Sequence, residues 1–322
     1  MKKYIYATDI LPEDAFDANP DTRWTWAQDA SASPELLEIY TYDPNPDVRW
    51  AAAENPNTPV ECLYHLAEDV DVWPKIGVCK NINTPYDLLL QLATDSDSAV
   101  REKLAERENL PQGILDVLVH DEDFGVRAIL ARNRTLPTNI LKILAKDPDS
   151  YVRNEVLTNN SITPEVLDEF IDETDTDVLY RLLTDYQIHR YALAKYAASS
   201  DENIRIMVAQ HANTSPNTLR HLSHDESIRV VRWVADNQNT PDDVLRDLAN
   251  STSRYIILRL LENPKTPADI LVRFADSSDE GYRYRVAMHK NTPDDVIMQL
   301  TFDPHELIQE QAKVEAKKRG LI

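Results

Sequence analysis

The chain has 322 residues, of which 42% are hydrophobic and 28% charged, and only two are cysteines. This composition favours a folded protein and excludes a disulfide framework or a four-cysteine metal or iron–sulfur site. The net charge of −21 disfavours nonspecific binding to DNA or to anionic membranes. No apolar run approaches the roughly 20 residues of a membrane-spanning helix, and the N-terminus lacks a signal-peptide core. We therefore expect a soluble, cytoplasmic monomer without membrane contact.

A single apolar position recurs every 26 residues along the chain. Its members are Leu11, Leu37, Leu63, Leu89, Leu115, Leu141, Leu167, Leu193, Leu219, Leu245, Leu271 and Ile297. Repeats of this length indicate an array of identical structural units. Twelve units of 26 residues account for 312 of the 322 residues, so no room remains for a separate catalytic domain.

Each unit has the pattern of two short helices. A hydroxyl residue and a proline precede the first helix, and we expect the hydroxyl to cap it and the proline to occupy its first position. These pairs are Ser33-Pro34, Thr58-Pro59, Thr84-Pro85, Thr163-Pro164, Ser215-Pro216, Thr240-Pro241, Thr266-Pro267 and Thr292-Pro293. An acidic turn such as Asp95-Ser-Asp97 then separates the helices. Asparagine, as at Asn55 and Asn81, ends the second helix, where we expect a left-handed conformation.

Helices of about ten residues are not stable alone in water, so each pair must bury its apolar face on the next pair. The sequence therefore predicts an all-α solenoid that forms a single domain over residues 1–322. Residues 1–33 are predicted as an N-terminal capping region because they lack a good first helix. Residues 34–302 hold the repeats, and residues 303–322, which are polar at core positions, are predicted as a C-terminal capping helix.

The unit at residues 43–69 resembles the leucine-rich repeat variant family and, more broadly, HEAT repeats. The recurring phrase D-x-D-x-x-V-R-x-x-x-A-x-N-x-x-T-P carries the resemblance. It implies a right-handed solenoid whose second helices line the concave face. It also implies a ladder in which acidic loops bridge to arginines of adjacent repeats, in the slots Asp97/Arg101, Asp123/Arg127, Asp149/Arg153 and Asp201/Arg205. Some members carry an N-terminal iron–sulfur segment, but the first cysteine here is Cys62, so we expect no cofactor.

Candidate binding residues lie where the second helix faces away from the core. At about 100° per residue, positions 10, 13, 14 and 17 after the repeat leucine point outward. Exposed Trp, Tyr and Arg side chains dominate binding hot spots. The candidates are Trp50, Trp73, Tyr151, Tyr180, Arg181, Arg229, Arg232, Trp233, Tyr255, Arg259, Tyr284 and Arg285. They predict an Arg- and aromatic-lined groove, the alternative being that the aromatic rings only cover gaps between short helices.

One unit departs from the pattern. Residues 185–198 lack the Thr-Pro start and concentrate Tyr186, His189, Arg190, Tyr191 and Tyr196. Tyr196 occupies a core position. For the rest of the segment, a bend in the solenoid is favoured over a ligand contact.

The remaining chemically reactive residues do not form a recognisable centre. His221 and His224 lie one helical turn apart beside Asp225, but no third ligand stands at a fixed spacing, so we expect no metal site. Cys62 and Cys79 occupy core positions and are expected to be buried, inert thiols. Nucleotide-binding glycine loops and serine nucleophile elbows are absent, as expected with five glycines.

The favoured hypothesis is a non-enzymatic scaffold that binds a protein or peptide through its concave face. One alternative is nucleic-acid binding in the Arg- and aromatic-lined groove, which would weaken steeply with salt. Another is an acidic mimic of nucleic acid that blocks a DNA-binding enzyme, which a regular array of outward carboxylates would favour.

Overall fold

A computed structural model describes residues 15–16, 18–186 and 188–322 of the chain. The described residues form 23 α-helices and no β-strand, which confirms the predicted all-α solenoid of 26-residue repeats. They divide into two compact units, Met1–Glu169 and Phe170–Ile322. None of the described helices is long and apolar enough to cross a membrane. The single-domain boundaries stay a prediction, and Leu11 lies outside the described residues.

In the unit Met1–Glu169, first and second helices alternate along the chain. The second helices are α1 (Pro20–Gln28), α3 (Pro46–Glu54), α5 (Val72–Lys80), α7 (Ser98–Ala105), α9 (Phe124–Arg132) and α11 (Ser150–Val156). The first helices are α2 (Pro34–Tyr40), α4 (Val60–Ala67), α6 (Tyr86–Leu92), α8 (Gln112–Leu118), α10 (Thr138–Leu144) and α12 (Pro164–Leu167). A short 3₁₀ helix, Asp168–Asp172, follows α12.

The unit Phe170–Ile322 repeats the same alternation. Its second helices are α13 (Thr176–Asp185), α15 (Glu202–Gln210), α17 (Ile228–Asp236), α19 (Arg254–Glu262), α21 (Glu280–Met288) and α23 (Glu306–Lys318). Its first helices are α14 (Arg190–Tyr196), α16 (Pro216–Leu222), α18 (Asp242–Leu248), α20 (Ala268–Ala275) and α22 (Asp294–Leu300). The helix predicted within residues 303–322 forms as α23, which buries Ile308, Ala312 and Ala316.

The repeat leucines form the core. Every described residue at this position from Leu37 to Ile297 is buried except Leu167, which is half-buried where α12 ends after four residues. Cys62 and Cys79 are buried free thiols, as predicted. Burial raises the pKa of the Cys79 thiol to about 12, so the nucleophilic thiolate is disfavoured at neutral pH.

The hydroxyl residues before the first helices act in two ways. Ser33 and Ser215 cap as predicted and accept hydrogen bonds from backbone amides three residues later. The threonines do not cap. Thr84, for example, donates its hydroxyl to the carbonyl of Val78 over 2.6 Å, at the end of the preceding helix. The prediction was wrong for the threonines. At Thr84 the reason is the register, since Pro85 stands four residues before its repeat leucine, whereas the prolines after the two serines stand three before theirs. Thr163 also makes no capping hydrogen bond, although Pro164 stands three residues before Leu167.

The asparagines at the ends of the second helices join neighbouring repeats. The Asn81 side-chain amide donates to the carbonyls of Ala53 and Asn55 over 2.8 and 2.7 Å. The backbone of Asn81 is extended, with φ −63° and ψ 126°. The predicted left-handed conformation is therefore wrong, since asparagine is needed here for its side chain. Among the described non-glycine residues, only Asn109 has a positive φ, at 56°.

Arginine bridges between adjacent repeats are confirmed, but the acidic partner differs from the predicted one. Both Arg101 Nε and Nη2 donate to Asp121 of the next repeat, over 2.7 and 2.9 Å. Asp97, the predicted ladder acid, instead accepts from the Ala99 amide and caps α7. The other rungs of this kind include Arg23–Asp43, Arg49–Asp69, Lys75–Asp95, Arg127–Asp147, Arg205–Asp225 and Arg283–Asp303.

Candidate binding surface

Second helices of successive repeats pack extensively on one another within each unit, more closely than the first helices do. The packing of α3 against α5 depends on Gly77 in α5, because this residue has no side chain. A Cβ atom at Gly77 would lie 2.6 Å from Ala53 Cβ and 2.9 Å from the Trp50 carbonyl oxygen, both in α3. The outward positions of these helices hold the predicted binding residues, and the structure gathers seven of the twelve into three clusters.

The tryptophan cluster consists of Trp50, Glu54, Trp73 and Lys80 on α3 and α5. The two indole rings lie 5.9 Å apart between centroids with their planes tilted by 48°. Trp50 Nε1 donates to Glu54 Oε1 over 2.8 Å, and Lys80 Nζ lies 2.5 Å from the same oxygen. Lys80 Nζ is also 5.4 Å from the centre of the Trp50 ring. Trp50 is thus held on several sides, while Trp73 is 51% exposed.

The tyrosine cluster surrounds Tyr151 at the start of α11. Arg132 Nη2 donates to Tyr151 Oη over 2.6 Å, and Arg132 Nε donates to Glu155 over the same distance. Phe124 meets the tyrosine ring edge-on, with centroids 6.2 Å apart. The Glu155 carboxylate raises the pKa of Arg132 above its usual value, so this guanidinium is a fixed positive charge beside the ring.

The arginine–tryptophan cluster lies on α17, α19 and α21. The guanidinium carbons of Arg232 and Arg259 are 5.2 and 5.4 Å from the centre of the half-buried Trp233 ring. Arg259 lies 3.1 Å and Arg285 2.8 Å from the carboxylate of Glu262. Four of the predicted residues are therefore joined into one network by a carboxylate that sequence reasoning did not single out.

A cavity of 400 Å³ adjoins Trp233. It is lined by Gln210, Ala212, Trp233, Asp236, Asn237, Gln238 and Asn239. Burial raises the pKa of Asp236, against the opposing influence of Arg259. Arg232 Nε is buried and has no hydrogen-bond partner among the described residues. The glutamine and asparagine residues of this lining were not among the predicted binding residues, although three of them, residues 237–239, form a polar run directly after α17.

The other predicted residues occupy scattered outward positions. Arg229 is paired with Glu202 over 3.0 Å. Tyr255 is 66% exposed, Tyr180 and Tyr284 are less so, and Arg181 is half-buried. Since Arg229, Arg259 and Arg285 are all neutralised by carboxylates, the surface is a mixed-charge one and not a basic groove.

Residues 185–198 form the end of α13, a connection and α14, with Gln187 outside the described residues. Tyr196 occupies the predicted core position, and its hydroxyl donates to the carbonyl of Phe170. A cavity of 320 Å³ lies nearby, between Leu183–Tyr186 and residues 207–212. The predicted bend stays a prediction.

Within the described part of the chain, no group of three or more His, Cys, Asp or Glu side chains could hold a metal ion. A larger cavity of 770 Å³ is lined by residues that include His120, Lys142, Lys146 and Glu169. Both lysines contact the Glu169 carboxylate, over 2.7 and 2.5 Å, so each already has an acidic partner within the protein.

The chain matches no protein-family model and no curated protein. It is similar to a solved structure described as a leucine-rich repeat variant with a novel repetitive protein structural motif. That match has 18% identity and a TM-score of 0.45, and covers 69% of this chain and 87% of the other. The description names the family that the sequence resembles.

Two other solved structures are also similar to the chain. An engineered protein matches with 13% identity and a TM-score of 0.11, over 86% of this chain and 94% of its own. Computationally designed armadillo repeat proteins for modular peptide recognition match with 12% identity and a TM-score of 0.11, over 94% and 95%.

Proposed function

We propose that the chain is a non-enzymatic scaffold that binds a protein or peptide partner through the outward face of its second helices. The observation that carries the proposal is the arginine–tryptophan cluster. Trp233 has two guanidinium groups within 5.4 Å of its ring centre and remains half-buried. Tryptophan and arginine side chains held in one conformation lose little entropy on binding, which favours them as anchors.

The cavity beside Trp233 supports the same proposal. Gln210 and Gln238 in its lining offer both hydrogen-bond donors and acceptors, as a polypeptide backbone requires. The amide groups of Asn237 and Asn239 already donate to carbonyls of the preceding repeat.

The placement of charge favours a protein over a nucleic acid. Residues 170–322 carry 19 basic and 24 acidic residues, a net charge of −5, and residues 1–169 carry 15 and 31, a net charge of −16. The arginines of the cluster other than Arg232 contact Glu262. Phosphate binding would require these ion pairs to be replaced, so nucleic acid is the less favoured ligand.

The test compares two matched triple variants. Arg232→Ala with Trp233→Ala and Arg259→Ala removes the cluster. The control, Arg220→Ala with Arg246→Ala and Tyr191→Ala, removes the same chemistry from first helices. The wild-type chain and both variants are used to capture partners from the native lysate, with and without nuclease treatment, once circular dichroism has shown equal helix content.

We expect the wild-type chain and the control to retain the same protein partner, and the cluster variant to retain it at least about tenfold less, as the loss of a hot spot requires. Equal retention by all three proteins would contradict the proposed surface. A ligand that disappears on nuclease treatment would show that the chain binds nucleic acid.

A further inference from the structure

We infer that the tryptophan cluster of the unit Met1–Glu169 binds a lysine or arginine side chain on a cationic segment of the partner. This inference rests on the proposed scaffold function and adds the chemistry of the partner. It concerns a different unit from the arginine–tryptophan cluster, so the two can be tested separately.

The cluster is a built feature of α3 and α5. Residues 73, 77 and 80 are one turn apart and share one face of α5. A Cβ atom at the middle position, Gly77, would lie 3.0 Å from Cδ1 of Trp50, so the indole rests directly on the α5 backbone. Trp73 and Lys80 flank it. The absence of a side chain at Gly77 therefore lets two tryptophans from successive repeats meet.

The cluster already holds one cation in the proposed manner. Lys80 Nζ lies 5.4 Å from the centre of the Trp50 ring and 2.5 Å from the carboxylate of Glu54. An ammonium group over an indole is attracted by the negative face of the ring, and a carboxylate completes its partners. Lys80 comes from the chain itself and occupies Trp50. Trp73 is 51% exposed and offers a second indole.

Acidic residues accompany Trp73 in the sequence. Asp71, two residues earlier, has a side chain that is 47% exposed while one of its oxygens accepts from Arg49. Asp47 is exposed and holds, one repeat earlier, the same position after the repeat leucine as Trp73. Trp73 thus combines an exposed indole with a partly exposed carboxylate two residues away, the two kinds of group that hold Lys80.

The charge of the unit selects the same kind of partner. The net charge of −16 over residues 1–169 contrasts with −5 over residues 170–322. A strongly acidic surface attracts basic partners and speeds their association, and it repels acidic ones. An anionic segment would be repelled, and an uncharged segment would gain no electrostatic attraction from the carboxylates or the ring faces.

The test uses three short peptides with the full-length chain at constant ionic strength. One peptide is rich in lysine and arginine, the second has glutamine at each basic position, and the third has glutamate. Binding is measured by titration calorimetry to the wild type and to Trp73→Ala, Trp73→Leu and Tyr86→Ala. Tyr86 is the matched control because it is an aromatic residue of similar exposure, 49%, on a first helix of the same unit.

We expect only the basic peptide to bind the wild type, and Trp73→Ala to weaken it by about threefold to thirtyfold, the range of a cation–π contact. Trp73→Leu keeps apolar bulk and should weaken binding to the same degree, whereas Tyr86→Ala should bind like the wild type. Equal binding of the glutamine peptide, no binding of any peptide, or no effect of Trp73→Ala would overturn the inference. None of these results would affect the proposed function, which depends on the variants at Arg232, Trp233 and Arg259.

Discussion

At the residue scale, the two residues that form a rung between repeats are either both present or both replaced. In each rung named above, an aspartate stands 20 residues after the arginine or lysine, as in Arg101 and Asp121, whereas Glu173 stands 20 residues after Arg153. Three repeats have an apolar residue at the first position, and each has serine at the second: Leu179 with Ser199, Val231 with Ser251, and Ile257 with Ser277. A buried aspartate without its guanidinium would be strongly destabilising, which explains why both members change together.

This pairing predicts the energetics of a single rung. The side chains of Arg101 and Asp121 are 8% and 4% exposed. Arg101→Leu alone leaves a buried carboxylate unpaired and should lower the free energy of unfolding by about 3 kcal/mol. Adding Asp121→Ser reproduces the rung of Leu179 and Ser199 and should return stability to within about 1 kcal/mol of the wild type.

Urea denaturation followed by circular dichroism measures both variants. The single variant Asp121→Ser is the control, because it leaves the guanidinium without its carboxylate and should also destabilise. If the double variant lost as much stability as the sum of the two single variants, the rung would not act as a unit, contrary to this account.

The sequence predicted the arginines of the ladder correctly but not their acidic partners. The repeating Val-Arg pairs predicted arginines that bridge repeats, and they do. The acidic partner of each arginine was assigned wrongly because each turn contains two acidic residues, such as Asp121 and Asp123, and the repeat pattern alone does not distinguish between them. Only the three-dimensional arrangement shows that Asp123 caps α9 through the Gly125 amide while Asp121 accepts Arg101.

At the scale of the helix, the ends of the second helices are tied to the preceding repeat by side chains. Asparagine usually does this, and His289 replaces it after α21. His289 Nε2 lies 2.8 Å from the Asn263 carbonyl oxygen, and Nδ1 accepts from the Asn291 amide over 3.1 Å. Both ring nitrogens are used in the neutral form, with the proton on Nε2, so protonation of Nδ1 would break the second bond.

The bond pattern predicts a pH dependence that asparagine would not have. Burial lowers the pKa of His289 below its usual value of about 6.5. As the pH falls below that value, the unfolded chain takes up a proton that the folded chain resists, so stability decreases until the folded pKa has been passed. His289→Asn should therefore match the wild type near neutral pH and be more stable at about pH 5.

Thermal unfolding at the two pH values measures this difference. The same substitution at exposed His120 removes an imidazole that lies outside the helix-end bonds, and it controls for the change in composition. A His289→Asn variant that lost as much stability on acidification as the wild type would contradict the assignment of the neutral ring.

Helix positions were predicted well because the 26-residue period places the same apolar residues on each helix. Helix ends were predicted less well. The hydroxyl of Thr84 satisfies a carbonyl of the preceding helix, and Pro85 stands one residue farther from its repeat leucine than the proline after the capping Ser33. Pattern alone treats Ser33-Pro34 and Thr84-Pro85 as equivalent, although their geometry differs.

At the scale of the whole chain, the sequence predicted which residues face outward but not how they combine. Helical periodicity placed Trp50, Trp73, Arg232 and Trp233 at outward positions. It could not show that Glu262 of α19 contacts two of the predicted arginines, Arg259 on the same helix and Arg285 on α21. These pairings give the surface a mixed charge and favour the protein partner that the sequence also favours.

The central claim is that a protein partner covers the outward face of the second helices, and hydrogen–deuterium exchange tests it most directly. Exchange would be compared between the free chain and its complex with the captured partner. The account predicts slower exchange on binding in α17, α19 and α21, with α16, α18 and α20 unchanged. Protection confined to those first helices, with the second helices unaffected, would contradict it.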